Sequence, residues 1–149
     1  MLTPLSITAI AASLTAALGG NLILRRHRDR LPTIEVDHTQ WEDDLIAVFL
    51  IIRNRFVEWL VVEEITVKRP HGTIVRSEDR RAVFAATARL AARIPPFPDG
   101  GGYGFSFWMK PPSGWAGGDI RFELRFSSMA STLRHKTIKV SGAVSTPPQ

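Results

Sequence analysis

The sequence predicts a mainly β protein. It should be an antiparallel β-sandwich of immunoglobulin-like architecture, preceded by one N-terminal transmembrane helix and carrying a short helix at 78–93. Three observations predict it. Leu5 to Leu24 contains no charged residue, and Arg25, Arg26, Arg28 and Arg30 follow at once. About seven short strand-like segments then follow, most of them separated by Pro, Gly or Asn turns, the spacing expected of a sandwich or barrel. There is no cysteine, so the disulfide and the Cys-Trp-Cys spacing of an antibody-type domain are ruled out.

The N-terminal run has the length of a membrane span: at 1.5 Å per residue it reaches roughly 30 Å, the thickness of the hydrocarbon core. Thr3-Pro4 suits a helix start, since Thr caps and Pro is tolerated at the first helical position. Ala9, Ser13 and Ala17 lie four apart on one face, and Ala12, Ala16 and Gly20 on a neighbouring one, a spacing that allows close helix packing in lipid. Two other readings compete with an anchor. One is a cleaved signal peptide with Ala17-Leu18-Gly19 as the cleavage site, although no Lys or Arg precedes the run as a signal peptide requires. The other is a helix buried in a larger assembly. With all the flanking positive charge on the C-terminal side, the positive-inside rule puts the N-terminus outside and the domain in the cytoplasm of a bacterial-type membrane. Arg25, Arg26, Arg28 and Arg30 would then lie at the membrane surface, within reach of anionic headgroups.

This divides the chain into an anchor at 1–24, a basic juxtamembrane linker at 25–32, a β-sandwich domain at 33–144 and a disordered polar tail at 145–149. The domain is long enough for one core. The formal charge of +5 does not point to nucleic acid. Four Arg against Asp29 put +3 of it in residues 25–30, and in the domain Arg and Lys alternate with acids instead of forming one stripe.

Within the domain, Thr33 to His38 reads as a short strand and Gln40 to Asp44 as a turn. Leu45 to Ile52 is continuously apolar and rich in β-branched residues, which predicts a strand covered on both faces. Arg53-Asn54-Arg55 is a polar break in which Asn54 can adopt the left-handed conformation of a tight turn. Phe56 to Lys68 reads as a strand with a bulge: Trp59, Val61, Ile65 and Val67 share one parity, and Glu63 interrupts it. Arg69-Pro70-His71-Gly72 is a turn, with φ fixed at Pro and free at Gly. Thr73 to Arg76 is a short strand. Val83, Ala86, Leu90 and Ile94 stand at helical spacing behind Ser77, Glu78 and Asp79, which predicts the helix; an extended crossover with short strands is the competing reading.

Pro95 to Gly102 and Lys110 to Gly118 are Pro/Gly loops on either side of a strand, Tyr103 to Met109. From Asp119 to Phe126, Ile120, Phe122, Leu124 and Phe126 alternate with Arg121, Glu123 and Arg125, the mark of a half-buried strand. Ser127 to Thr132 turns the chain into a last strand, Leu133 to Val144, with Ile138 and Val140 inward.

Chemistry is poorly represented. His27, His38, His71 and His135 are scattered, and no pair has metal-site spacing, so no metal, cofactor or catalytic residue is expected. Glu63 and Glu64 are neighbours on a strand and face opposite sides, so they do not make an acid–base pair. Glu63 should find an Arg partner or be turned outward by the bulge. Gly100 to Gly104 precedes a strand and lacks the Lys-Ser/Thr of a phosphate loop. The aromatic residues around the two Pro/Gly loops, Tyr103, Trp108 and Trp115, are the candidate partner-binding residues, because Trp and Tyr supply contact area at low entropic cost. The expected function is a non-enzymatic docking or assembly module held at a membrane, meeting lipid through its helix and binding a protein partner or a second copy. An exported carbohydrate- or ligand-binding sandwich is the alternative.

Overall fold

Eight strands make up the domain in this computed structural model, which describes residues 31–79, 81–128 and 135–149. They are β1 (Thr33–Glu42), β2 (Leu45–Arg53), β3 (Leu60–Arg69), β4 (Ile74–Ser77), β5 (Thr87–Ile94), β6 (Tyr103–Lys110), β7 (Gly118–Ser128) and β8 (Lys136–Val144). All pairings are antiparallel and form two four-stranded sheets, ordered β1-β2-β6-β4 and β5-β3-β7-β8. The anchor, the arginines at 25–30 and the orientation expected for them lie outside the described residues. Among the described residues no helix is long and apolar enough to cross a membrane.

Period-2 patterning places the core between the sheets. The first sheet contributes Ile46, Val48, Leu50, Ile52, Val75, Phe107 and Met109; the second contributes Leu60, Val62, Ile65, Ile120, Phe122, Leu124 and Phe126. Phe107 meets Phe122 edge to face with centroids 5.4 Å apart, joining the two layers. At one side the sheets approach so closely that a Cβ on Gly142 of β8 would lie 2.7 Å from Cγ2 of Val36.

Several sequence expectations hold, and others are corrected. Leu45 to Ile52 is a strand, and β7 alternates as read, with all four apolar residues buried. The expected helix at 78–93 is absent: Thr87–Ile94 is an edge strand paired with β3, and its helical spacing is overridden because β3 has a free edge that a strand can satisfy and a helix cannot. Ala88 and Ile94 enter the core, whereas Val83 is 83% exposed. Before β5 the chain is irregular and touches the first sheet at a single bridge, Val75 to Ala85. The expected turn at 40–44 is shorter. β1 runs to Glu42, Trp41 packs against the core, and Asp43 takes the left-handed conformation (φ 55°) in a two-residue turn.

The bulge in β3 is present, between Val62 and Glu64, and it exchanges the two faces. Leu60 and Val62 are therefore buried ahead of Ile65 and Val67, and Trp59 is left 47% exposed. Asn54 does not have a positive φ. It is fully buried, and its Nδ2 donates to the carbonyls of Glu58 (2.8 Å), Pro95 (3.3 Å) and Ile94 (3.4 Å).

Candidate docking site

The centre of the first sheet's outer face is apolar, between flanking polar residues such as Glu35, Gln40, Arg53 and Arg76. Ala47, Phe49 and Ile51 of β2 and Trp108 of β6 have the parity opposite to the core residues, yet Ala47 is 4% exposed, and Phe49, Ile51 and Trp108 are half-buried. Cross-strand pairing explains Ala47, which lies between Gln40 and Trp108. A bulge at Asp37 brings His38 opposite Phe49, and the two rings stack 4.2 Å apart, 13° from parallel. Asp37 accepts a 2.7 Å hydrogen bond from Nδ1 of His38 and orients the imidazole.

Beside this stack is a cleft of about 410 Å³, lined by Asp37, His38, Phe49 to Ile51, Tyr103 to Ser106, Glu78 and Ala92. Gly104 leaves it open, since a Cβ there would meet nothing within 4 Å. Ser106 donates a hydrogen bond to Glu78 at the rim. A second depression of about 500 Å³ shares Glu78, Ala92, Phe105 and Ser106 and continues to Asp79, Arg89 and Leu90. Within β6, β4 pairs with Phe107–Lys110 alone, so among the described residues Tyr103 to Ser106 extend past the end of β4 and present an open sheet edge along the cleft.

The three sequence-predicted contact residues are not gathered together. Tyr103 opens β6, packs on the core and lines the cleft. Trp108 lies on the outer face of the same strand, opposite Ala47 and Arg76. Trp115 is in the following loop and packs against the core, 6.2 Å from Trp41. Trp41 Nε1 in turn donates to the carbonyl of Ser145 (2.8 Å). The arginines at 25–30 lie outside the described residues. Sequence reading missed His38, Phe49, Glu78 and Ser106. The outward parity of Phe49 within β2 was the one available signal.

The other polar cluster is on the second sheet. Glu63, turned outward by the bulge, accepts from Ser127 Oγ (2.9 Å) on Oε1 and from His135 Nδ1 (2.8 Å) on Oε2, with Arg125 Nε 3.4 Å away. Burial raises this carboxyl, but the hydrogen bonds from His135 and Ser127 and the charges of His135 and Arg125 outweigh it and hold it below 4.5. The carboxylate stands between Ser and His, whereas nucleophilic catalysis needs the His between Ser and acid, so the arrangement ties β3 to β7 and to His135, just ahead of β8, without activating the hydroxyl. Among the described residues no group of three or more His, Asp or Glu could hold a metal ion.

No family model matches the chain, and no curated protein matches it. Solved structures do. A putative late embryogenesis abundant protein is similar at 15% identity over 94% of this chain and 85% of its own, with a TM-score of 0.46. Northeast Structural Genomics Consortium target SoR45 is similar at 13% identity over 78% and 85%, with a TM-score of 0.42.

Proposed function

We propose that this chain is a single-pass membrane protein whose immunoglobulin-like sandwich serves as a non-enzymatic docking or assembly module on the cytoplasmic side. The observation that carries the docking role is the open edge of β6 at Tyr103–Ser106, running along a cleft with apolar and aromatic walls. An unpaired edge offers backbone donors and acceptors to an extended segment, and side-chain pockets beside it select which segment binds. The partner is accordingly a protein segment in extended conformation. Asp37, Glu78 and Asp79 outnumber Arg89 around the two depressions and favour one that carries positive charge. The membrane assignment rests on the Leu5–Leu24 run and the arginines after it.

Two measurements test this reading. Benzoylphenylalanine placed at Tyr103 in the full chain should cross-link a partner in intact membranes, and the same probe at Lys139, on the other sheet, should not. Equal cross-linking from both positions, or none from Tyr103, would remove the docking face. Protease protection of a C-terminal tag should persist until the membrane is broken. Digestion from outside, or a mature chain shortened by its first nineteen or so residues as signal cleavage requires, would replace this reading with the exported ligand-binding one.

A further inference from the structure

We infer that the Arg55–Trp59 loop is a second membrane contact, seating the domain on the lipid interface through Val57 and Trp59. The inference rests on the membrane-anchored reading and adds to it which end of the domain meets the bilayer.

The loop is held in place yet turns its apolar side chains outward. Asn54, fully buried, accepts on Oδ1 from the backbone N–H of Phe56 (3.0 Å) and donates to the carbonyl of Glu58 (2.8 Å). The Glu58 carboxylate accepts from Ser128 Oγ (2.6 Å). With 54, 56 and 58 tied down, the alternate residues Arg55, Val57 and Trp59 point away from the domain; Val57 is 85% exposed and Trp59 47%. Single exposed apolar residues need no explanation, but two on one immobilised loop beside an arginine form a surface with a direction. Trp is the side chain that settles at a membrane–water interface, Val partitions below it, and Arg reaches the headgroups.

Register puts this loop at the correct end. Thr33, the first residue of β1, pairs with Arg53, the last of β2, so the chain enters the domain where the 54–59 loop leaves it. Only residues 25–32 separate Leu24 from Thr33, a reach of at most ~32 Å even when fully extended. A bilayer is thus the apolar surface the loop can reach without any partner being recruited, and the arginines of the linker attract the same anionic headgroups as Arg55.

The chain contains no cysteine, so Val57→Cys provides a unique labelling site for an environment-sensitive fluorophore, and Ser113→Cys in the loop between β6 and β7 is the control. The full-length variants are reconstituted into vesicles of phosphatidylcholine and phosphatidylglycerol, floated and read with bromolipid quenchers. The expected result is a blue-shifted, bromolipid-quenched probe at 57 and an unquenched one at 113. If the protein floats with the vesicles but the probe at 57 reports water, this inference is overturned while the anchor stands. If the protein does not float, the anchor reading fails and this one with it. Shielding at 57 in native membranes but not in pure lipid would also overturn it, because the loop would then be covered by protein.

Discussion

On the outer face of the second sheet, Arg89, Arg93, Arg121, Arg125, Lys68 and Lys139 stand among Glu63, Glu64 and Glu123; on the first, Ala47, Phe49, Ile51 and Trp108 hold the centre, with Glu35, Arg53 and Arg76 around them. Both sheets supply one side of the same core, so the difference lies wholly in what covers them. The charged face is open to water, and its pairs are loose: Lys68 to Glu123 at 3.5 Å, Arg125 to Glu63 at 3.4 Å and to Glu64 at 3.9 Å. Such pairs add little stability and mainly keep the face soluble and unattractive to other strands. The apolar face is partly covered by its own residues, His38 on Phe49 and Trp108 beside Ala47, and what remains open is the cleft. The proposed docking role is assigned to the apolar face because of that contrast.

The largest expected effect removes the support both faces share. Phe122→Ala takes away the ring that meets Phe107 across the core and should cost about 3–5 kcal/mol in denaturant unfolding. Retention of near-normal stability would mean that the sheets are not joined there. Next, Ala47→Lys should cost about 2 kcal/mol, because it forces a long charged chain beneath Trp108, while Arg121→Ala on the other sheet should change stability by less than ~0.5 kcal/mol. Similar losses from the two would abolish the distinction between covered and open faces.

The smallest effect sharpens the account of the charged face. Glu63→Gln should cost about 0.5 kcal/mol at neutral pH. Because the folded Glu63 carboxyl is held below 4.5, its contribution is fully present above that value and is lost as pH falls through the depressed one. The wild-type and variant unfolding curves should therefore converge in acid; a gap that stays constant with pH would show that the Ser127 and His135 contacts do not depend on the charge.

The candidate site was only partly legible. Tyr103 and Trp108 stood out by residue type, next to loops. His38, Phe49, Ser106 and Glu78 did not, because the cleft assembles from β1, β2, β6 and the segment after β4, and nothing local marks those positions as neighbours. Trp115 stood out in the same way; it is half-buried, packs against the core and lies outside the cleft lining.

Local pattern is enough to identify β7 by its strict alternation, β2 by its continuous apolar run, and the Arg69–Gly72 turn by its Pro and Gly. These rest on local periodicity and on the backbone limits of Pro and Gly. Tertiary structure alone decided that Thr87–Ile94 is a strand, that β1 continues through Trp41, and that the β3 bulge buries Leu60 and Val62 and exposes Trp59. Each depends on hydrogen-bond partners distant in sequence. A free edge on β3 outweighs the modest helix preference of an alanine-rich segment, and one unpaired residue in a ladder moves every later side chain to the opposite face.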